Sequence, residues 1–186
     1  RSQRRGCVRN GTALTTPAGM DGENGVRAAG TASRSDPRSA LVANPGCFPT
    51  SIILGLAPLC KEKLLDPAFV VADSDSGLTG AGKSLKESSH FVNVNENVVA
   101  YNIGKHRHLP EIVQELNALA DSDVGLVFNP HLAPINRGIL STLTLKLTQP
   151  MTPEALDALY HSFYDDEPFV RVRPAGEYAA TKQVMG

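Results

Sequence analysis

The stretch Ala43-Asn44-Pro45-Gly46-Cys47-Phe48-Pro49-Thr50 constrains this chain more than any other. Two prolines and a glycine shape a turn there. The lead-in Leu41-Val42 reads as the end of a strand. The run Ile52-Ile53-Leu54-Gly55-Leu56 has helical length, with Thr50 as a candidate cap near its start. Cys47 therefore sits where a turn opens a helix. Unpaired backbone N–H groups and partial positive charge gather at such a point. They stabilise a thiolate and favour the nucleophilic form near neutral pH. Gly46 allows a tight backbone and leaves room beside the sulfur. The alternative is that Cys47 is a small buried apolar residue.

Composition limits the remaining options. The chain has 186 residues, 41% apolar and 20% charged, enough for one ordinary globular domain. A net charge of −1 favours neither nucleic acid nor a membrane surface as partner. The three cysteines are an odd set without a CxxC pair. That speaks against a disulfide framework or a structural zinc site and for a reducing compartment, the cytoplasm. No apolar run reaches membrane-spanning length, and the basic start lacks the apolar segment of a signal peptide.

Residues 1–39 are rich in Gly, Ser, Thr, Ala and Arg, with few large apolar side chains and no sustained period. They read as a disordered or non-family segment. From residue 40 the pattern becomes that of a compact α/β (α+β) unit. Ala68-Phe69-Val70-Val71-Ala72 predicts a buried strand, followed by a small-residue loop from Asp73 through Gly77, Gly80 and Gly82 to Lys83. That loop matches neither a P-loop nor the dinucleotide fingerprint, and a plain flexible turn is its alternative.

Val98-Val99-Ala100-Tyr101-Asn102-Ile103 predicts a second strand. Pro110 and Glu111 then open a helix to about Ala120, with Ile112, Leu116 and Leu119 on its buried face. His106, Arg107 and His108 precede that helix. A helix start keeps a nearby imidazole neutral and able to accept a proton. Acid/base chemistry ranks above metal binding, because only two nitrogen ligands are local; surface histidines are the alternative. Val124-Gly125-Leu126-Val127-Phe128 predicts a third strand, ending in a proline-rich loop with Arg137 as an anion contact. Residues 138–147 alternate as a half-buried antiparallel strand. Thr152-Pro153-Glu154 opens a helix to about Phe163, and Phe169-Val170-Arg171-Val172 predicts a last strand.

Four motifs, Asn44-Pro45-Gly46-Cys47-Phe48-Pro49-Thr50, Ser76-Gly77-Leu78-Thr79-Gly80-Ala81-Gly82-Lys83, His106-Arg107-His108-Leu109-Pro110-Glu111-Ile112 and Pro130-His131-Leu132-Ala133-Pro134-Ile135-Asn136-Arg137-Gly138-Ile139-Leu140, stand in order and near the expected spacing. In this they resemble the N-acetyl-gamma-glutamyl-phosphate reductases of arginine biosynthesis, relatives of the aspartate-semialdehyde dehydrogenases. The resemblance runs from about residue 41 to residue 186. It covers the α/β domain that carries catalysis and dimer contacts, without the Rossmann domain, so residues 40–186 are expected to be a truncated catalytic and dimerisation domain with a mixed, largely antiparallel sheet. The resemblance implies NADPH-dependent reduction of N-acetyl-glutamyl 5-phosphate to the 5-semialdehyde through a thioacyl intermediate on Cys47. His106 is then the acid/base, with His108 the close rival. Asn44, Arg107, Glu111 and Arg137 fall to substrate binding, and Ser76, Gly77, Gly80, Gly82 and Pro49 to the NADP cofactor. The intact enzyme is expected to be a homo-oligomer, dimer or tetramer. An aspartate-semialdehyde dehydrogenase-like enzyme and a non-catalytic dimerisation domain are the other readings, and an isolated half should expose apolar surface and self-associate.

Overall fold

The computed structural model describes residues 7–9, 12–14, 44–174 and 176–184. Strands β1 (Cys7–Arg9) and β2 (Thr12–Leu14) form a short antiparallel ribbon. Apart from that ribbon, the expectation of a disordered or non-family segment over residues 1–39 lies outside the described residues. So does the strand end expected at Leu41-Val42.

Helix α1 (Cys47–Lys61) begins at the cysteine itself. Its N-cap is Gly46, so the capping role expected of Thr50 is corrected. The Thr50 hydroxyl donates back to the Gly46 carbonyl at 2.9 Å, inside the first turn. Pro49 stands in that same turn, where no backbone N–H is needed. Ile52, Ile53 and Leu56 are fully buried, as an apolar run of this length requires.

Pro58 lies inside α1 and removes the N–H that would serve the Leu54 carbonyl. Helix α4 (Pro153–Tyr164), capped by Thr152, repairs the loss. The Tyr164 hydroxyl donates to Leu54 O at 2.6 Å, and the Tyr160 hydroxyl to Gly55 O at 2.5 Å. Two phenols on one face of α4 thus tie it to the proline-broken stretch of α1.

The main sheet has the order β4-β5-β3-β6. Strand β3 (Leu65–Ser76) runs parallel to β5 (Leu126–Leu132) and antiparallel to β6 (Ile139–Leu147), while β4 (Val99–Ala100) is antiparallel to β5. The sheet is therefore mixed, with antiparallel pairings in the majority. A single helical turn, α2 (Phe91–Val94), precedes β4. Helices α1 and α3 (Leu109–Ala120) cover one face of the sheet, burying Val70, Ala72 and Phe128 with Ile112 and Leu116. On the other face Phe69 and Val127 remain half exposed, at 51% and 54%.

Four strand expectations are corrected. The loop expected from Asp73 is strand as far as Ser76, because polar side chains find partners on both faces. Buried Ser74 bonds Ser141 Oγ at 2.7 Å, which bonds Ser51 Oγ at 2.9 Å, and Asp73 accepts from Asn129 at 2.8 Å. Strand β5 likewise continues beyond Phe128 to Leu132. Strand β4 has two residues rather than six. Pro130 accepts from Tyr101 N but has no N–H to return, so the ladder stops there. Residues 169–172 form no strand; Phe169 is 97% exposed and the Val170 N–H turns back to Glu167 O.

Burial pushes both tyrosines up, Tyr160 to about 12 and Tyr164 further. Their ionised forms are disfavoured only in the folded chain, so the stability they contribute is present below about pH 10 and lost as pH rises beyond it. Tyr164→Phe should cost about 1–3 kcal/mol at neutral pH by orphaning the Leu54 carbonyl. Urea unfolding at neutral pH and above pH 10 checks both, the variant showing the smaller alkaline loss.

Candidate active site

The site forms where the starts of α1 and α3 meet. Gly46 has φ −67° and ψ 164°, extended backbone open to any residue. Its lack of a side chain answers to packing instead. A Cβ there would lie 2.6 Å from His108 Nε2 and within 2.9 Å of two more ring atoms. The space over Gly46 is thus taken by the His108 imidazole. The Gly46 N–H donates to Glu111 Oε1 at 2.8 Å. Residues 108 and 111 of α3 therefore clasp the residue immediately before the cysteine.

Cys47 is exposed at the first position of α1. Cys60, on the same helix, is wholly buried, and burial pushes its thiol up to about 11. Buried Phe48 projects into a ring cluster, with centroids 5.4 Å from His106, 6.0 Å from His108 and 5.2 Å from Phe128. The two imidazoles are 4.8 Å apart, and Tyr101 closes on His106 at 5.5 Å. His106 Nδ1 accepts the His108 backbone N–H at 3.1 Å, so a neutral His106 carries its proton on Nε2. Burial, then the neighbouring Arg107 charge, lowers the pKa of His106. Both effects favour the neutral imidazole.

A cleft of about 1220 Å³ opens beside the sulfur. Cys47, His106, Arg107, His108, Ser76 and Gly80 all line it. The other residues singled out in the sequence lie outside its lining. Asn44 is exposed ahead of the turn, Pro49 is fully buried in the core, and Glu111 is buried on Gly46. Gly77 and Arg137 belong to a loop junction: Gly77 N donates to Gly138 O at 2.9 Å, and a Cβ on Gly77 would stand 2.8 Å from Arg137 N. Gly82 has φ +81°, a conformation that glycine favours. Two motifs far apart in sequence are thus strapped together through Leu78 N to Ile135 O and Thr79 N to Asn136 O.

Residues 86–105 supply much of the remaining lining, including Lys86, Tyr101 and Lys105. The sequence places Tyr101 in a predicted strand and gives the two lysines no role. Only the lysines carried a signal, as charges among small and polar residues. Among the described residues no group of three or more His, Cys, Asp or Glu could hold a metal, and no helix is long and apolar enough to cross a membrane.

Comparison with known proteins follows the same residues. The family described as semialdehyde dehydrogenase, dimerisation domain, matches residues 47–186. An N-acetyl-gamma-glutamyl-phosphate reductase of Pelotomaculum thermopropionicum is 52% identical over 155 residues, 83% of this chain and 45% of the relative. One from Staphylococcus aureus is 48% identical over 146 residues, 78% of this chain and 43% of the relative. The chain thus spans less than half the length of these relatives. Among solved structures, aspartate semialdehyde dehydrogenase II of Vibrio cholerae, complexed with ASA, aligns with a TM-score of 0.58 at 10% identity, over 78% of this chain and 48% of that one. A probable aspartate-semialdehyde dehydrogenase of Pseudomonas aeruginosa gives 0.55 at 18%, over 77% and 49%. At these identities the shared property is the fold.

Two outcomes are expected. In an NMR titration His106 should have its midpoint below the usual 6.5, and Arg107→Met should raise it part of the way, since burial is the larger cause. Gly46→Ala should displace the His108 ring, visible as a large shift of its Cε1–H resonance, while Gly82→Ala leaves that resonance in place.

Proposed function

The chain belongs to the semialdehyde dehydrogenase family, as its dimerisation domain, and from that premise we propose that it carries the reacting half of an N-acetyl-gamma-glutamyl-phosphate reductase. The observation that carries this reading is the exposed Cys47 at a helix start, sharing one cleft with His106 and His108. The relatives near 50% identity favour the N-acetyl-glutamyl substrate over an aspartyl one.

The Cys47 thiolate attacks the acyl-phosphate carbonyl carbon. A C–S bond forms, the C–O bond to phosphate breaks, and inorganic phosphate leaves. His108 is the better base for the thiol proton, because its Nε2 lies against Gly46, the residue before the nucleophile. His106 has its Nδ1 occupied and offers Nε2–H as a donor to the substrate oxygen. Arg107 faces the same cleft and suits an anionic group of the substrate.

The small residues Ser76, Gly80 and Ala81 line the cleft and fit a flat ring approaching the sulfur. A nicotinamide dinucleotide, NADPH, held against these residues would supply a hydride to the thioester carbon, and Cys47 would then leave as its thiolate with release of the semialdehyde. The sulfur must stay reduced for this, which suits the cytoplasm.

Acylation needs no reductant, so it is testable on the chain as it stands. Mixing with N-acetyl-glutamyl 5-phosphate should release a burst of about one phosphate per chain. Cys47→Ser should abolish the burst, and His108→Gln should slow it by about 10²-fold or more. A burst that survives Cys47→Ser would sink the proposal, and a faster burst with aspartyl phosphate would reassign the substrate.

A second copy of the chain is the proposed partner for the open face of the sheet, where Phe69 and Val127 are half exposed and the family's description points to dimerisation. Val127→Lys should convert a dimer to a monomer in sedimentation velocity. A monomeric parent chain would contradict this.

A further inference from the structure

The cleft has an uneven charge. Three cations line it, Lys86, Lys105 and Arg107, against a single carboxylate, Glu87. The chain as a whole carries a net charge of −1, so this excess of positive charge is local. The cations come from separate places: Lys86 lies N-terminal to the short turn Glu87–Ser89, whereas Lys105 and Arg107 flank His106 in the segment leading into α3. All three are exposed, and among the described residues none of them forms an ion pair. Lys146, by contrast, is paired with Asp66 at 3.4 Å on β6.

We infer that Lys86 and Lys105 form, with Arg107, an anion subsite of the Cys47 cleft that takes the phosphoryl and carboxylate groups of an acyl-phosphate substrate. The inference rests on the reading of Cys47 as the nucleophile and extends it to residues with no assigned role. Cations around a cleft raise the local concentration of anions and speed their encounter with the sulfur. They also hold a polyanionic substrate while its carbonyl is presented to Cys47. Phosphate groups of a dinucleotide share the same chemistry, so the test separates the two sources.

Alkylation of Cys47 by iodoacetate, an anion, is compared with alkylation by neutral iodoacetamide. The rate ratio reads the field in the cleft, whereas the iodoacetamide rate alone reads the reactivity of the thiol. Lys86→Met with Lys105→Met should lower the ratio by about threefold or more, any change in thiolate fraction being common to both reagents and cancelling in the ratio. Lys146→Met should leave the ratio unchanged. In the unaltered chain, added salt should lower the ratio in the same direction, a readout that does not depend on how the variants fold. Inorganic phosphate should slow the iodoacetate reaction of the parent and lose that effect in the double variant. A ratio unmoved by the double variant or by salt would overturn the inference, as would protection by adenosine 2′-phosphate but not by inorganic phosphate. Slow iodoacetamide alkylation with an intact ratio would instead count against the nucleophile.

Discussion

Gly46 has no side chain, and the beginning of α3 uses the space. The imidazole of His108 lies where a Cβ would be, and the carboxylate of Glu111 holds the Gly46 N–H. These two contacts join residues 46 and 108–111, far apart in sequence, at one point. They place the exposed sulfur of Cys47 and the two buried histidines on the wall of one cleft. Phe48 completes the joint by pointing inward from the next position, so that its ring packs on both histidines and on Phe128 of β5. Sheet, cysteine-bearing helix and histidine segment thus share a single packing junction.

The rest of the fold keeps that junction in place. Helix α1 carries Pro58 in its interior, which on its own would leave a carbonyl unpaired and bend the helix. The Tyr164 phenol of α4 supplies the missing donor, and Tyr160 adds a second tie at Gly55 O. On the sheet side the chain of hydroxyls Ser51, Ser141 and Ser74 ties α1 to β6 and β3 with polar groups that satisfy one another. The start of α1 is therefore fixed from the helix layer and from the sheet layer. Much of the remaining lining of the cleft, by contrast, comes from short turns and from a strand that Pro130 stops after two residues.

The elements with a strong apolar period were legible in the sequence. The α3 helix ended at Ala120 as expected, α4 extended one residue past Phe163, and the alternation of Leu143, Leu145 and Leu147 marked β6. Misjudged segments were those in which tertiary partners overrode local character. Asp73 to Ser76 reads as loop until Asn129 and Ser141 are placed beside it. Pro130 reads as a strand breaker, yet its missing N–H falls where β4 ends. The run 169–172 has strand composition but gains no sheet neighbour. At the site, the cysteine and the two histidines stood out by type and setting, and all three line the cleft. The role of Gly46 did not, because a glycine before a helix is ordinarily read as backbone freedom. Lys86 and Lys105 lacked a motif altogether, and only the folded cleft brings them to the sulfur.

The account depends most on the sulfur of Cys47 accepting an acyl group. After brief exposure to N-acetyl-glutamyl 5-phosphate and an acid quench, peptide mapping by mass spectrometry tests it directly. The expected result is an N-acetyl-glutamyl mass added to the peptide carrying Cys47, with buried Cys60 unmodified. An unmodified Cys47 peptide from folded chain, or acyl groups found on Cys60 instead, would contradict it.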